Sequence, residues 1–578
     1  MDATKARIRA SPVVAGPAAA GTLVAEPQLE SLFPAAALSG ANVLAAVPSW
    51  WKLKAVEAGL DEPWTDWRVA LSTPPADFDR TAPYPGLERA SSFELGEAYS
   101  GLVEAGDRLK QGCHYTPQLL TTTLWTELEQ AGETSSGPIA DPACGAGALL
   151  IPALRRVLAH SSAASAEETL ASASWNVRGR DLDPLAVWLG NAVLGAELLP
   201  AWASLPPARR QPLPRLLDLG DGLASSTPTN AVTVMNPPYG RVRLPAQERT
   251  RWAESLFGHA NRFGLFLHAA IEMTTPGGLI GAVLPTSFLG GAYYQRLREF
   301  VAEYAPLARL VFVEERSGVF AGGVLQETCL AVFQRGGAAD KVVCSTQPVN
   351  GGGKRRALGQ IKLPRRRRDL PWLLPRTTRD QALVERAASL TARLSDYGWK
   401  ASTGPLVWNR HKPYISQEPE QGAVPIVWAA DLKAGRVERS RARAPQRWIS
   451  LRERDAFMRL TDPAVLVQRT TAPEQARRLV VSVLDRETLT GVWGGTVVVE
   501  NHVNVLRCTN SSSPLTPRLV AALLSSEPLD RLYRCLTGSV AVSAYELEAL
   551  PLPPAEVLLA WQKEPTDEVA RLATEFYG

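Results

Sequence analysis

Residues 231–240 read Ala-Val-Thr-Val-Met-Asn-Pro-Pro-Tyr-Gly. The short apolar run Ala231–Met235 predicts a buried strand. Two prolines stop it at once, because proline cannot donate to a ladder. The chain is thereby committed to a strand whose C-terminal edge carries Asn236, Pro237, Pro238 and Tyr239: one amide, carbonyls that neither helix nor sheet consumes, and one ring. In an open α/β sheet ligands bind at that edge. Two acceptors beside a flat ring suit a planar amino group. In isolation the same four residues read equally well as a turn with a half-buried tyrosine, so the flanking motifs decide.

At 578 residues the chain is too long for one ordinary core, which predicts two large domains with additions. Net charge is only +4, which neither requires nor excludes a polyanionic partner. The six cysteines are scattered without a Cys-x-x-Cys pair, so no metal site and no disulfide framework is expected. No apolar run looks long enough to span a bilayer, and Pro12 and Pro17 spoil the N-terminal stretch as a signal peptide. A cytoplasmic protein with no membrane partner is the expectation.

Between residues 139 and 334 β-like runs alternate with amphipathic stretches. The runs are 138–140, 176–179, 231–235, 279–284, 310–313 and 328–333. This alternation predicts a mainly parallel sheet with helices on both faces. The expected division is an N-terminal, partly helical extension over 1–90, a cofactor-binding α/β domain over 91–340, a basic linker over 341–375 and a mixed α+β domain over 376–578. The linker assignment rests on Lys354-Arg355-Arg356 and Arg365–Arg368.

Asp141-Pro142-Ala143-Cys144-Gly145-Ala146-Gly147 follows the first run and precedes a helical stretch. Its glycines permit a tight strand-to-helix turn and close approach to a ligand. It lacks the Lys and Ser/Thr of a phosphate cradle. Asp141 would repel a pyrophosphate but suits an amino acid's ammonium, which favours a sulfonium nucleoside over a dinucleotide. At the second strand Asp181, with Asp183 as the alternative, can accept from ribose hydroxyls. Asp183 ahead of Pro184 is equally a helix cap. Asp221, preferred over Asp218, is the candidate for an adenine amino group.

In this order the motifs resemble the N6-adenine DNA methyltransferases of TaqI type, in which cofactor motifs precede Asn-Pro-Pro-Tyr and a target-recognition region follows. The resemblance implies a Rossmann-like methyltransferase sheet that binds S-adenosylmethionine. It assigns Tyr115, Thr116 and Pro117 to an upstream cofactor motif, and Asp141, Pro142, Ala143, Cys144, Gly145 and Gly147 to the main loop. Asp181 and Asp221 match the ribose and adenine acids, and Asn236 to Tyr239 the catalytic motif, with Asn236 also counted among the cofactor-binding residues. Phe320, in Gly318-Val319-Phe320, matches the aromatic that packs on the flipped base. More loosely, residues 400–555 resemble the recognition region of type II modification enzymes.

On this resemblance the partner is double-stranded DNA. Adenine's exocyclic nitrogen is a poor nucleophile, because its lone pair is delocalised into the ring. The Asn236 side-chain oxygen and the Pro237 carbonyl would accept its two hydrogens and localise that pair. The target base must leave the stack, with Tyr239 and Phe320 offsetting part of the cost. Arg410, Lys412, Arg469, Asn501, His502 and Asn504 are candidate DNA contacts, and Lys354–Arg356 with Arg365–Arg368 candidate phosphate contacts. Three other readings compete: a protein-glutamine methyltransferase, a DNA-binding subunit without catalysis, and a fused restriction–methylation enzyme. A companion restriction endonuclease is compatible with the sequence.

Overall fold

The computed structural model describes residues 42–578 apart from 61–66, 68–70, 76–80, 84, 103–115, 134–136, 162–164, 225–226, 315–326, 338–340, 350–353, 364–369, 472–474, 511–512 and 537–540. Its largest sheet is built from β1 (Ile139–Asp141), β2 (Val177–Asp181), β3 (Leu217–Leu219) and β4 (Asn230–Met235), followed beyond a small separate hairpin, β5 (Arg241–Val242) and β6 (Ala260–Asn261), by β7 (Thr274–Pro285), β8 (Leu307–Val313), β9 (Thr328–Gln334), β10 (Lys341–Gln347) and β11 (Arg356–Lys362). The order across the sheet is β11-β10-β8-β9-β7-β4-β1-β2-β3. β3, β2, β1, β4 and β7 run parallel. The chain moves outward from β1 to β3 and then returns to β4 on the other side of β1. Strand order therefore reverses between β1 and β4, and the crevice outside their C-terminal ends is the topological switch point.

Side chains along the central strands alternate between two cores, as a pleat requires. Val232 and Val234 of β4, Leu279 and Val283 of β7, and Leu330 and Val332 of β9 enter one core. Met235, Ile280, Ala282, Leu284, Ala331 and Phe333 enter the other. Helices Gln118–Gln130, Leu150–His160 and Pro184–Ala203 cover the first face, together with Trp50 and Trp51 of helix Val47–Glu57. Helices Arg262–Met273 and Gln295–Tyr304 cover the second.

Three expectations are corrected. The sheet is less parallel than the alternation suggested, because β9 inserts antiparallel between β7 and β8. Residues 341–362 are not a linker for most of their length. β10 pairs parallel to β8, and β11 returns antiparallel to β10, so the run extends the sheet. The arginines that suggested a solvated connector pair with carboxylates of the same unit, Arg355 with buried Glu127 and Arg356 with Glu314. Arg365–Arg368 lie outside the described residues. One helix, Pro184–Ala203, is long and apolar enough to cross a bilayer, yet 72% of its apolar window is buried within the protein.

The second core does not stop at the sheet. It continues through Trp372 and Leu374 into helices Pro517–Leu524 and Glu527–Leu536 and the strands Trp399–Thr403 and Ala464–Gln468. Arg298, fully buried, ties this junction. It donates to the carbonyls of Leu370 (3.0 Å), Phe288 (2.9 Å) and Gly291 (2.9 Å) and to the Tyr545 hydroxyl (2.8 Å). Two smaller cores hold the distal part, one around Trp493 and Val497, the other around Trp428 and Ile426.

Candidate functional site

The loop after β1 turns through Gly145 and Gly147, whose φ values of +50° and +84° lie in the left-handed region. The turn is held from both sides. The Asp141 carboxylate accepts from the Ala143 N–H at 2.9 Å, and Asp181, at the tip of β2, accepts from the Gly145 N–H at 2.8 Å and the Asp183 N–H at 3.0 Å. Asp141 is 2% exposed, and burial raises its carboxyl to about 8. Burial also holds the Cys144 thiol well above its usual value, as expected of an inert packing cysteine. Asp183 caps helix Pro184–Ala203, accepting from Leu185 (2.9 Å) and Ala186 (3.2 Å), and takes the Tyr99 hydroxyl on its other oxygen at 3.0 Å. It is committed to the scaffold, which leaves Asp181 as the acid facing the loop.

Asp221 follows β3 on an exposed turn and accepts from the Leu223 N–H at 2.9 Å. Its neighbour Gly222 lies so close to the β1 loop that a Cβ there would meet the Pro142 carbonyl oxygen at 1.8 Å. This contact brings the third acidic turn against the glycine loop. Asn191 sets β3 in place: its Oδ1 accepts from Leu216 (2.9 Å) and Leu217 (3.1 Å), and its Nδ2 donates to the Leu217 carbonyl (2.9 Å). Sequence reading passed over Asn191, Gly222 and Tyr99. A lone amide in a twenty-residue helix whose one other polar side chain is Glu197 is the available signal for Asn191.

On the other side of the switch point, Asn236 ends β4. Its Nδ2 donates to the Thr116 Oγ at 3.1 Å, which turns its Oδ1 toward the Tyr239 hydroxyl, 3.5 Å away. Thr116 is buried, and Pro117 caps helix Gln118–Gln130, so this helix start orients the amide. Thr116 thus reaches Asn236, a contact the upstream-motif reading did not include. Tyr239 is 9% exposed, donates to the Val283 carbonyl at 3.2 Å and packs edge-on against Phe263 with centroids 6.3 Å apart. Tyr115 and Phe320 lie outside the described residues. No group of three or more metal-ligating side chains occurs among the described residues.

The distal candidates divide. Arg469, Asn501 and His502 come together: Arg469 donates from its side chain to the Asn501 carbonyl at 3.1 Å, and its N–H donates to the His502 carbonyl at 2.8 Å. The His502 ring pairs with buried Glu500. Arg410 and Lys412 are exposed on a separate turn, with the Lys412 ammonium 5.0 Å over the Trp408 ring. Asn504 is a correction. It is fully buried in its strand and donates to the Val542 carbonyl at 2.7 Å, so it cannot face a ligand.

A doubly wound sheet with this strand order and its loops gathered at the β1–β4 switch point is the fold of the class I methyltransferases. Residues 91–191 match the family model for N-6 DNA methylase, and residues 231–320 match that for Eco57I restriction-modification methylase. Type II methyltransferase M.BsuBI of Bacillus subtilis is 23% identical over 60% of this chain and 70% of its own length. Type II methyltransferase M.PstI of Providencia stuartii is 26% identical over 56% of this chain and 65% of its own. Among solved structures, the type IIL restriction-modification enzyme MmeI in complex with DNA aligns with 85% of this chain and 78% of its own, at 14% identity and a TM-score of 0.48. Over these segments the chain is similar to the N-6 DNA methylases of restriction-modification systems, and it is a DNA methyltransferase.

Proposed function

We propose that the chain transfers a methyl group from S-adenosylmethionine to the exocyclic nitrogen of an adenine turned out of duplex DNA at a defined sequence. The observation that carries this reading is the setting of Asn236. Its NH₂ is engaged by Thr116, so the amide presents its oxygen, and Pro237 next to it has a carbonyl and no N–H. Together they accept two hydrogens from one planar amino group, which localises the lone pair on nitrogen. Tyr239 braces the loop through Val283 and offers a ring to the base, and Phe320 is assigned to the opposite face.

The residues across the switch point fit the cofactor. S-adenosylmethionine supplies a methyl group on a sulfonium, together with an ammonium, a ribose diol and an adenine. Asp141, a buried carboxyl pushed up to about 8 and lacking a cation partner among the described residues, suits an ammonium beside it. Asp181 suits the diol and Asp221 the adenine amino group, with Gly222 keeping the Asp221 turn against Pro142. Positioning and preorganised acceptors supply the rate. Arg469, Asn501 and His502, with Arg410 and Lys412, are assigned to the DNA. A modification enzyme of this kind shields its target word from an endonuclease of the same specificity, which would be the companion. The test is methyl transfer to duplex DNA by Asn236→Ala. Transfer at near the parent rate by a folded, cofactor-binding variant overturns the reading.

A further inference from the structure

The segment directly after the Asn-Pro-Pro-Tyr loop is built into neither the sheet nor either core face. Residues 241–262 leave the site as β5, pass through helix Ala246–Arg251, and return as β6. Arg241 pairs with Asn261 and Val242 with Ala260, while the Arg262 N–H donates to the Gly240 carbonyl at 3.0 Å. Asn261 donates to the Tyr294 hydroxyl at 3.1 Å, which docks the hairpin on the turn following β7. The hairpin is therefore fastened to the loops of β4 and β7, adjacent strands at the site's rim.

Its charge is concentrated. Residues 241–262 hold five arginines and two glutamates, a balance of +3 within a chain whose total is +4. Two of these arginines serve the fold: Arg249 donates to the Gly258 carbonyl and Arg251 covers the Trp252 ring, while Arg296, from outside the segment, donates to the Ala253 carbonyl. Arg241 and Arg243 are exposed and enter no salt bridge among the described residues. The Arg241 guanidinium stands 5.6 Å over the Tyr293 ring, which is itself 45% exposed. An arginine held on an aromatic face keeps its donor fork pre-set for an anion, and an exposed ring takes a sugar or an unstacked base.

We infer that this hairpin, through Arg241 and Arg243 with Tyr293, grips the DNA backbone beside the extruded nucleotide. The partner is a nucleic-acid phosphate chain, matched by charge and by covalent continuity: Arg241 stands two residues beyond Tyr239. The inference rests on the Asn236 loop being where the target base enters.

The experiment measures binding of the full chain to a fluorescein-labelled mixed-sequence duplex across a salt series. Losing two phosphate contacts in R241A/R243A lowers the slope of log affinity against log salt by about two. Affinity at fixed salt falls at least ~tenfold, while the melting temperature and cofactor affinity stay at parent values. R241K/R243K retains the slope, since charge alone makes such contacts. A slope equal to the parent's in the alanine pair, or lost equally in the lysine pair, overturns the inference. If the slope changes as expected but the parent enzyme methylates no adenine, the Asn236 reading fails and the surface stands.

Discussion

The two halves of the molecule place polar residues in opposite ways. At the β1–β4 crevice, Asp141, Asp181, Asp221 and Asn236 sit at strand ends, and the three acids accept from backbone N–H groups of these loops. Topology delivers them there, because each follows a strand of one parallel set. In the distal half, polar residues arrive from two mixed sheets and long irregular turns. Many are absorbed by the scaffold, as when Asn504 holds Val542 and Asp431 pairs with Arg447 in a buried bridge. On the proposed function, the cofactor side would rest on strand geometry, whereas a surface for reading DNA would be assembled from turns.

This contrast can be broken most sharply at Asn236. Asn236→Ala is expected to lower single-turnover methyl transfer by ~10³-fold or more and to leave cofactor affinity within about threefold, since Nδ2 meets Thr116 rather than the glycine loop. Loss of cofactor binding in parallel would show the two sides of the crevice to be one structural unit. Asp181→Ala removes the acceptor for two loop N–H groups, and a cofactor affinity lower by ~10–100-fold is expected by titration calorimetry, about 1.5–3 kcal/mol. In the distal half, His502→Ala should cost ~1–3 kcal/mol of discrimination at one base position, read by competition between duplexes that differ there. A uniform loss over all sequences would make His502 a backbone contact instead.

A pH dependence tests the same crevice from another side. Asp141 keeps its proton to about 8 in the folded protein, whereas an unfolded aspartate releases it near ~3.9. The folded state then binds more protons than the unfolded one, so stability of the ligand-free protein falls as pH rises across that window. A cationic ligand requires the ionised form, so cofactor affinity should climb by up to about tenfold per unit up to pH ~8 and level off above it. Asp141→Asn should flatten both trends. A rise that persists in that variant would assign the titration to another group.

Much of the first half was legible because its strands announce their ends. Ala231–Met235 is stopped by two prolines, and β1 by Asp141-Pro142. β3 is hidden in the sequence because Asp218 interrupts its apolar run and two of its three residues are exposed. The antiparallel entry of β9 was also hidden, since an apolar run has no direction. Residues 354–356 resemble a solvated charge run because the acids that neutralise Arg355 and Arg356 come from elsewhere in the chain, Glu127 from helix Gln118–Gln130. The cluster of Arg469 with Asn501 and His502 could be suggested residue by residue, but its closure depends on strand pairing between Ala464–Gln468 and Val503–Cys508.

Arg298 sets a rule for anyone who wishes to re-engineer the specificity of this enzyme. Severing the chain near residue 375 would leave the guanidinium buried without Tyr545 and expose the apolar flank of Trp372. A graft of foreign reading loops should instead carry the two minor cores within 406–505, keep Val465, Val467, Leu479 and Val481 for the second core, and retain the C-terminal helices of the recipient. Portability in this scaffold follows the boundaries of its cores, not the midpoint of its sequence.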